Sequence, residues 1–216
     1  MVDVTTQGAT SMDLLSPSEE EDKLELIDES GSSERVKKVV VASVLASLSI
    51  AVAPIVEIVP RIPGWGIALF DPVSLFWIVS FLIGGIWVGL VSTVAGTIGV
   101  FLYDPTAIGP VMKLIATLPM IIVPWLGVRR LRREVGGESL SNARFFFKFT
   151  IIAFIVRILL MVPINVAYGA IAYPFFTIEF IVTYAIILNA VASFWDALVP
   201  YILVHKTQVF KTFKMW

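Results

Sequence analysis

The chain has no cysteine and a single histidine, His205. Without cysteine there is no disulfide framework and no thiolate metal site. One histidine, near the polar C-terminal end, leaves almost no room for a histidine-based metal centre or a Ser-His dyad. Charge is also scarce. Charged residues make up 15% of the chain, against 57% hydrophobic residues. Mean hydropathy is +0.89. A soluble domain does not need so much apolar surface, whereas a helix bundle in a bilayer does.

The net charge of -1 hides a division along the 216 residues. Residues 1–34 carry an acidic excess, including the run Glu19, Glu20, Glu21, Asp22, and the remainder is basic. That composition cannot bury a core, so residues 1–37 read as a disordered acidic cytoplasmic tail. Residues 38–206 read as a membrane domain, and 207–216 as a short basic cytoplasmic C-terminus.

The first span covers about residues 39–59. The next apolar run, 73–103, would be about 46 Å long as one straight helix, well beyond a hydrocarbon core of about 30 Å. Gly84-Gly85 offers a break, dividing the run into a short helix at 73–84 and another at 86–103. Later spans cover 109–128, 145–168 and 178–204. Counting basic clusters decides the topology. With six helices, the groups Arg35–Lys38, Arg129–Arg133, Arg144–Lys148 and Lys206–Lys214 all face the cytoplasm. With five, the last three of those groups would lie outside. The expected fold is therefore an all-α, six-helix integral membrane bundle. Its second helix is short, both termini are cytoplasmic, and it sits in the cell membrane.

On that topology the outer loops are 60–72, 104–108 and 169–177. They are short, aromatic and rich in Pro and Gly, which suits a lid over a pocket and an interfacial aromatic belt equally well. An ionisable group at mid-bilayer costs about 2.5–3.5 kcal/mol on insertion scales, so each embedded polar residue calls for a partner or a function. Glu57, Lys113, Asn165, Tyr168 and Glu179 gather in the outer half, with Asn189 near the middle of the last span. Convergence from several helices would give an outward-facing pocket. For Asn165 and Asn189, hydrogen bonding between helices is the competing reading. For Glu57 and Lys113 the competitors are a mutual ion pair or snorkelling to the interface. Trp65 and Tyr168 are among the aromatic residues available to stack on a flat ligand.

Arg157 and Asp196 lie deeper. Counted from the cytoplasmic helix ends, their depths differ by only about 6 Å, so a structural ion pair that neutralises both is expected. Ala42 and Ala46 form a small-xxx-small step on the first span, beside Ser43, Ser47 and Ala51. Such steps let helices approach closely, either within the bundle or against a partner subunit.

This order of pieces resembles the substrate-binding S component of energy-coupling factor (ECF) vitamin transporters. The matching stretches are Phe81-Leu-Ile-Gly-Gly-Ile-Trp-Val-Gly-Leu, Gly96 to Asp104-Pro105, and Ile108-Gly-Pro-Val-Met-Lys-Leu. The Asn165 region and Ile187-Leu-Asn189 extend the likeness over roughly residues 38–206. The resemblance implies a non-catalytic subunit that captures a vitamin at the outer face. A transmembrane T component and two cytoplasmic ATPases would drive its reorientation. Ala42 and Ala46 would face the T component. The chain has no G-x-x-x-x-G-K-[ST] phosphate loop of its own, as befits a passive binder. In general look it is nearest to riboflavin-binding members. Asn189 matches an asparagine of their last helix, while Ala192 stands where they carry a lysine. The expected partners are thus a vitamin, the coupling subunits and the lipid bilayer, with no nucleic acid and no metal. The alternative is a membrane scaffold without a small-molecule ligand. An intramembrane enzyme is disfavoured because no convergent nucleophile, base or metal ligands appear.

Overall fold

The computed structural model describes residues 17–63, 68, 70–104, 106–133, 136–207, 209, 213 and 215–216; the side chains of 17–31 and of Glu57 fall outside that description. The chain divides into two compact units, Met1–Val36 and Lys37–Trp216. The first unit is described only from Pro17, where it is helical. The second is all-helical, and apart from an isolated bridge between Arg61 and Ala68 it contains no strand pairing among the described residues.

Five helices carry the fold: α1 (Pro17–Val52), α2 (Pro72–Val100), α3 (Ile108–Leu126), α4 (Ala143–Ala172) and α5 (Ile178–Tyr201). Each contains a stretch long and apolar enough to cross a membrane. The exposed surface agrees. On α4, Ile151, Ile155 and Leu159 recur at a four-residue spacing and are all exposed. Such a stripe on the outside of a bundle is what lipid covers. The protein is a membrane-embedded helical bundle.

The α2 helix is not straight. Gly85 has φ 81° and ψ −173°, outside any helical region. Glycine adopts this backbone without a Cβ penalty. The two arms on either side fold back on each other. A Cβ at Gly89 would lie 2.6 Å from the Cβ of Phe81 and 3.0 Å from its Cα. In a straight helix those two positions would be about 12 Å apart. A Cβ at Gly96 would likewise run into the Trp77 indole. The break expected at Gly84-Gly85 is therefore a hairpin turn, and glycine on the second arm lets the first approach to backbone contact.

The hairpin sorts the bundle into two ends. At one end Val73 and Val100 cluster with Val52, Ala53 and Val56, so both ends of α2 meet the close of α1. The loops before α2, after α2 and between α4 and α5 belong to this end. At the other end lie the Gly85 turn, the connection between α3 and α4, and the end of α5. Trp216 docks there. Its indole Nε1 donates to the Leu82 carbonyl at 2.8 Å, a group orphaned by the helix break. Its ring packs 5.3 Å from Phe81. Lys37, Lys38, Arg129, Arg130, Arg132, Arg133, Arg144, Lys148 and Lys206 all belong to this second end of the Lys37–Trp216 unit.

Ala42 and Ala46 are 0% and 3% exposed, covered by the chain's own atoms. Beside them Ser49 Oγ accepts from Trp77 Nε1 at 2.9 Å and donates to the Ala46 carbonyl at 2.7 Å, tying α1 to α2. The small-residue step thus packs α1 into its own bundle. Of the two places open to the step, within the bundle or against a partner subunit, the burial of both alanines is that of the first, not of the partner contact that the resemblance implies. Ser43, Ser47 and Ala51, a turn of about 100° away, are the exposed small residues.

Candidate ligand-binding site

A cavity of about 520 Å³ opens at the end of the bundle remote from the basic clusters, among α3, α4 and α5. Two features build its walls. On α5, Phe180 and Tyr184 are four residues apart and share one helix face, and Phe176 joins them from the loop before it. Phe176 and Phe180 stack with ring centroids 4.6 Å apart, and Phe180 and Tyr184 with centroids 6.4 Å apart. From α4 and its C-terminal loop, Tyr168 and Tyr173 meet edge to face at 5.9 Å. Asn165 and Gly169 complete that side, and Ile181 faces the cavity from α5.

The floor comes from the turn between α2 and α3. Asp104 Oδ1 accepts from the Thr106 backbone N at 3.1 Å and from Thr106 Oγ1 at 2.5 Å, while Oδ2 accepts from Gly109 N at 3.1 Å. One carboxylate therefore holds the turn and satisfies an orphan N–H of the first turn of α3. A Cβ at Gly109 would lie 2.3 Å from Asp104 Oδ2, so only glycine allows that approach. Asp104, Thr106, Gly109 and Met112 all line the cavity. Asp104 is the one carboxylate among the lining residues, and no lysine or arginine is among them.

Such a space suits a small planar molecule. Its volume is in the usual range for ligand pockets, five aromatic side chains stand in its walls, and its polar groups are few. Asn165 Nδ2 donates to the Met161 carbonyl of its own helix at 2.8 Å. That bond orients the amide and leaves one N–H and the carbonyl oxygen to offer.

The structure separates the residues expected to act together. Asn165 and Tyr168 line the cavity. Lys113 does not: it forms an ion pair with Asp71, whose other oxygen accepts from Val73 N at 3.0 Å and caps α2. Lys113 was expected in the binding site; it is absent from the lining and has Asp71 as an acidic partner, while the expected pairing with Glu57 falls on a side chain outside the described residues. The α2 hairpin brings Asp71 to the same end of the bundle as the start of α3, and Lys113 is taken by the acid it meets there. The Glu57 side chain and Trp65 lie outside the described residues.

Asn189 is also not in the cavity, although its neighbour Leu188 is. It is 2% exposed and belongs to a buried network. Arg157 Nη1 donates to Asp196 Oδ2 at 2.7 Å, and Arg157 Nε donates to Asn189 Oδ1 at 2.8 Å. Ser74 Oγ donates to Asp196 Oδ1 at 2.7 Å, and Asn189 Nδ2 to the Ala185 carbonyl at 2.8 Å. Arg157 and Asp196 are 5% and 1% exposed. The ion pair expected between them is present. What the sequence reading did not foresee is that Asn189 completes it. Asparagine satisfies the guanidinium face that Asp196 leaves open, joining α2, α4 and α5 around a neutral centre.

Phe180, Asp104, Gly109 and Met112 were not foreseen as site residues. A signal existed for the first: aromatic residues at 180 and 184 share a face of α5 just after its Thr177 cap. Asp104 and Gly109 also carry a local signal, an acid followed by a turn and then a glycine, but nothing in it says that the turn underlies a cavity. No protein-family model matches the chain, and no curated protein matches it.

Proposed function

We propose that this protein is the substrate-capturing subunit of an importer of the ECF type, binding a planar vitamin-like molecule at the outer face of the cell membrane. Six segments cross the bilayer in this reading, the two arms of α2 counting separately, and both termini are cytoplasmic. The observation that carries the proposal is the aromatic cavity at the end of the bundle opposite the basic groups. The positive-inside rule puts those groups in the cytoplasm and so turns the cavity outward. The ring of a ligand would lie among Tyr168, Tyr173, Phe176, Phe180 and Tyr184, with the Asn165 amide setting its orientation. Riboflavin is the first candidate, and the amide available to it is that of Asn165, since Asn189 is engaged by Arg157.

The chain itself performs binding and no chemistry. Transport energy would come from two cytoplasmic ATPases through a T component. A surface suited to such a partner is the exposed step Ser43, Ser47, Ala51 on α1, where small side chains permit close helix approach.

Native mass spectrometry of the detergent-purified protein tests the reading, followed by denaturation and identification of any released molecule. A stoichiometric flavin or other vitamin is the expected result. Tyr173→Ala should then weaken binding by about 0.5–1.5 kcal/mol, the usual worth of an aromatic contact beyond its buried area. An empty protein that no vitamin stabilises against heat would favour a scaffold whose polar residues only hold the bundle together.

A further inference from the structure

A second crevice lies at the basic end, between the close of α3 and the start of α4. It is about 410 Å³ in volume and is walled by Val123, Leu126, Gly127, Arg130, Leu131 and Phe149. Five of the six walls carry no charge, and the sixth is an arginine. After Leu126 the helix widens into a π-helical turn over Gly127–Arg132. Insertions of this kind re-aim the residues that follow and recur at functional sites. Arg129, Arg130, Arg132 and Arg133 are all exposed here. Arg132 is held against the protein, its guanidinium 5.3 Å above the Phe145 ring. Arg130 stands at the crevice. Neither the Lys113–Asp71 nor the Arg157–Asp196 ion pair engages Arg130.

We infer that this crevice is a binding site for an anionic phospholipid, with the headgroup phosphate on Arg130 and the start of an acyl chain against Val123, Leu126, Leu131 and Phe149. Charge and apolarity together select this occupant. A guanidinium presents a planar fork that matches phosphate oxygens. A free phosphate would satisfy the arginine and leave the apolar walls in water. A zwitterionic lipid would fill the walls but bring its own cation toward Arg129, Arg130 and Arg133. The crevice also sits where α3 leaves its apolar span, which is the depth of a headgroup. Basic pockets between membrane helices on the cytoplasmic side are a known mode of anionic lipid capture. The inference requires a bilayer at this end of the bundle and is independent of what fills the aromatic cavity.

The test uses the full chain in nanodiscs of phosphatidylcholine with and without phosphatidylglycerol, ejected and weighed by native mass spectrometry. Phosphatidylglycerol should be retained in preference to phosphatidylcholine. Arg130→Gln should weaken that retention about fivefold, the factor one surface arginine is worth. Arg144→Gln, an exposed arginine at the start of α4 outside the crevice, should leave it nearly unchanged. Val123→Trp fills the crevice without altering charge and should lower retention as Arg130→Gln does. Equal losses in Arg130→Gln and Arg144→Gln would overturn the site in favour of leaflet-wide attraction. Absence of any preference for phosphatidylglycerol would overturn it too. So would inorganic phosphate raising the melting temperature in detergent as much as phosphatidylglycerol does.

Discussion

The Arg157–Asp196 pair shows how a single residue is judged by what surrounds it. Two buried charges are costly on their own, and their attraction repays the cost only when the remaining hydrogen-bonding groups are met. Here Ser74 and Asn189 meet them. Removing one partner leaves the other buried and unmatched. Asp196→Leu should therefore destabilise the bundle by about 3–5 kcal/mol, while the double substitution Asp196→Leu with Arg157→Leu recovers most of the loss. Thermal unfolding in detergent decides this; a double variant no more stable than the single one would mean that the pair is not the stabilising unit. Asn189 teaches a related lesson. As a letter in the sequence it could hold a ligand or join helices, and both readings predict a buried amide. Only the direction of its side chain, toward Arg157, separates them.

At the level of the element, α2 is the decisive piece. Its apolar run is too long for one crossing, and the glycine pair marks a break. How far the chain turns at that break depends on a single backbone conformation, φ 81° at Gly85, which sends the second arm back along the first. The chain lacks cysteine, so an introduced pair is a clean reporter. Val73→Cys with Val100→Cys should be joined by a short bifunctional thiol crosslinker, because the two share one cluster. An unbent helix would hold them about 40 Å apart, beyond its reach. The turn is also stabilised from outside. Trp216→Ala removes the donor that meets the Leu82 carbonyl and should cost about 1–3 kcal/mol of stability, read as a lower melting temperature. A change confined to within experimental error would mean that water takes over that carbonyl.

For the whole molecule, the folded-back α2 decides which residues share an end. It puts Asp71 beside Lys113 and sets the aromatic cavity at the end opposite Arg129, Arg130, Arg132 and Arg133. Cysteine labelling in intact cells tests the orientation. Phe175→Cys, in the loop at the cavity end, should react with an impermeant maleimide. Gly136→Cys, at the basic end, should react only after the cells are permeabilised. The reverse pattern would turn the cavity toward the cytoplasm and remove the argument for capture from outside.

Composition and charge placement determined a membrane-embedded helical bundle, its break at Gly84-Gly85 and the meeting of Arg157 with Asp196. These are legible because they follow from local quantities: hydropathy summed over a span, glycine's backbone freedom, and two charges at matching depth that cannot stay apart in an apolar medium. Tertiary structure alone decided the rest. It assigned Lys113 to Asp71, turned Ala42 and Ala46 inward, took Asn189 for the ion pair, and gathered Asp104, Tyr173, Phe180 and Asn165 around one space. The reason is rotational. Adjacent positions on a helix point about 100° apart, so one step in register exchanges bundle for lipid or cavity for core. That register is set by how neighbouring helices pack, which no single segment of the sequence contains.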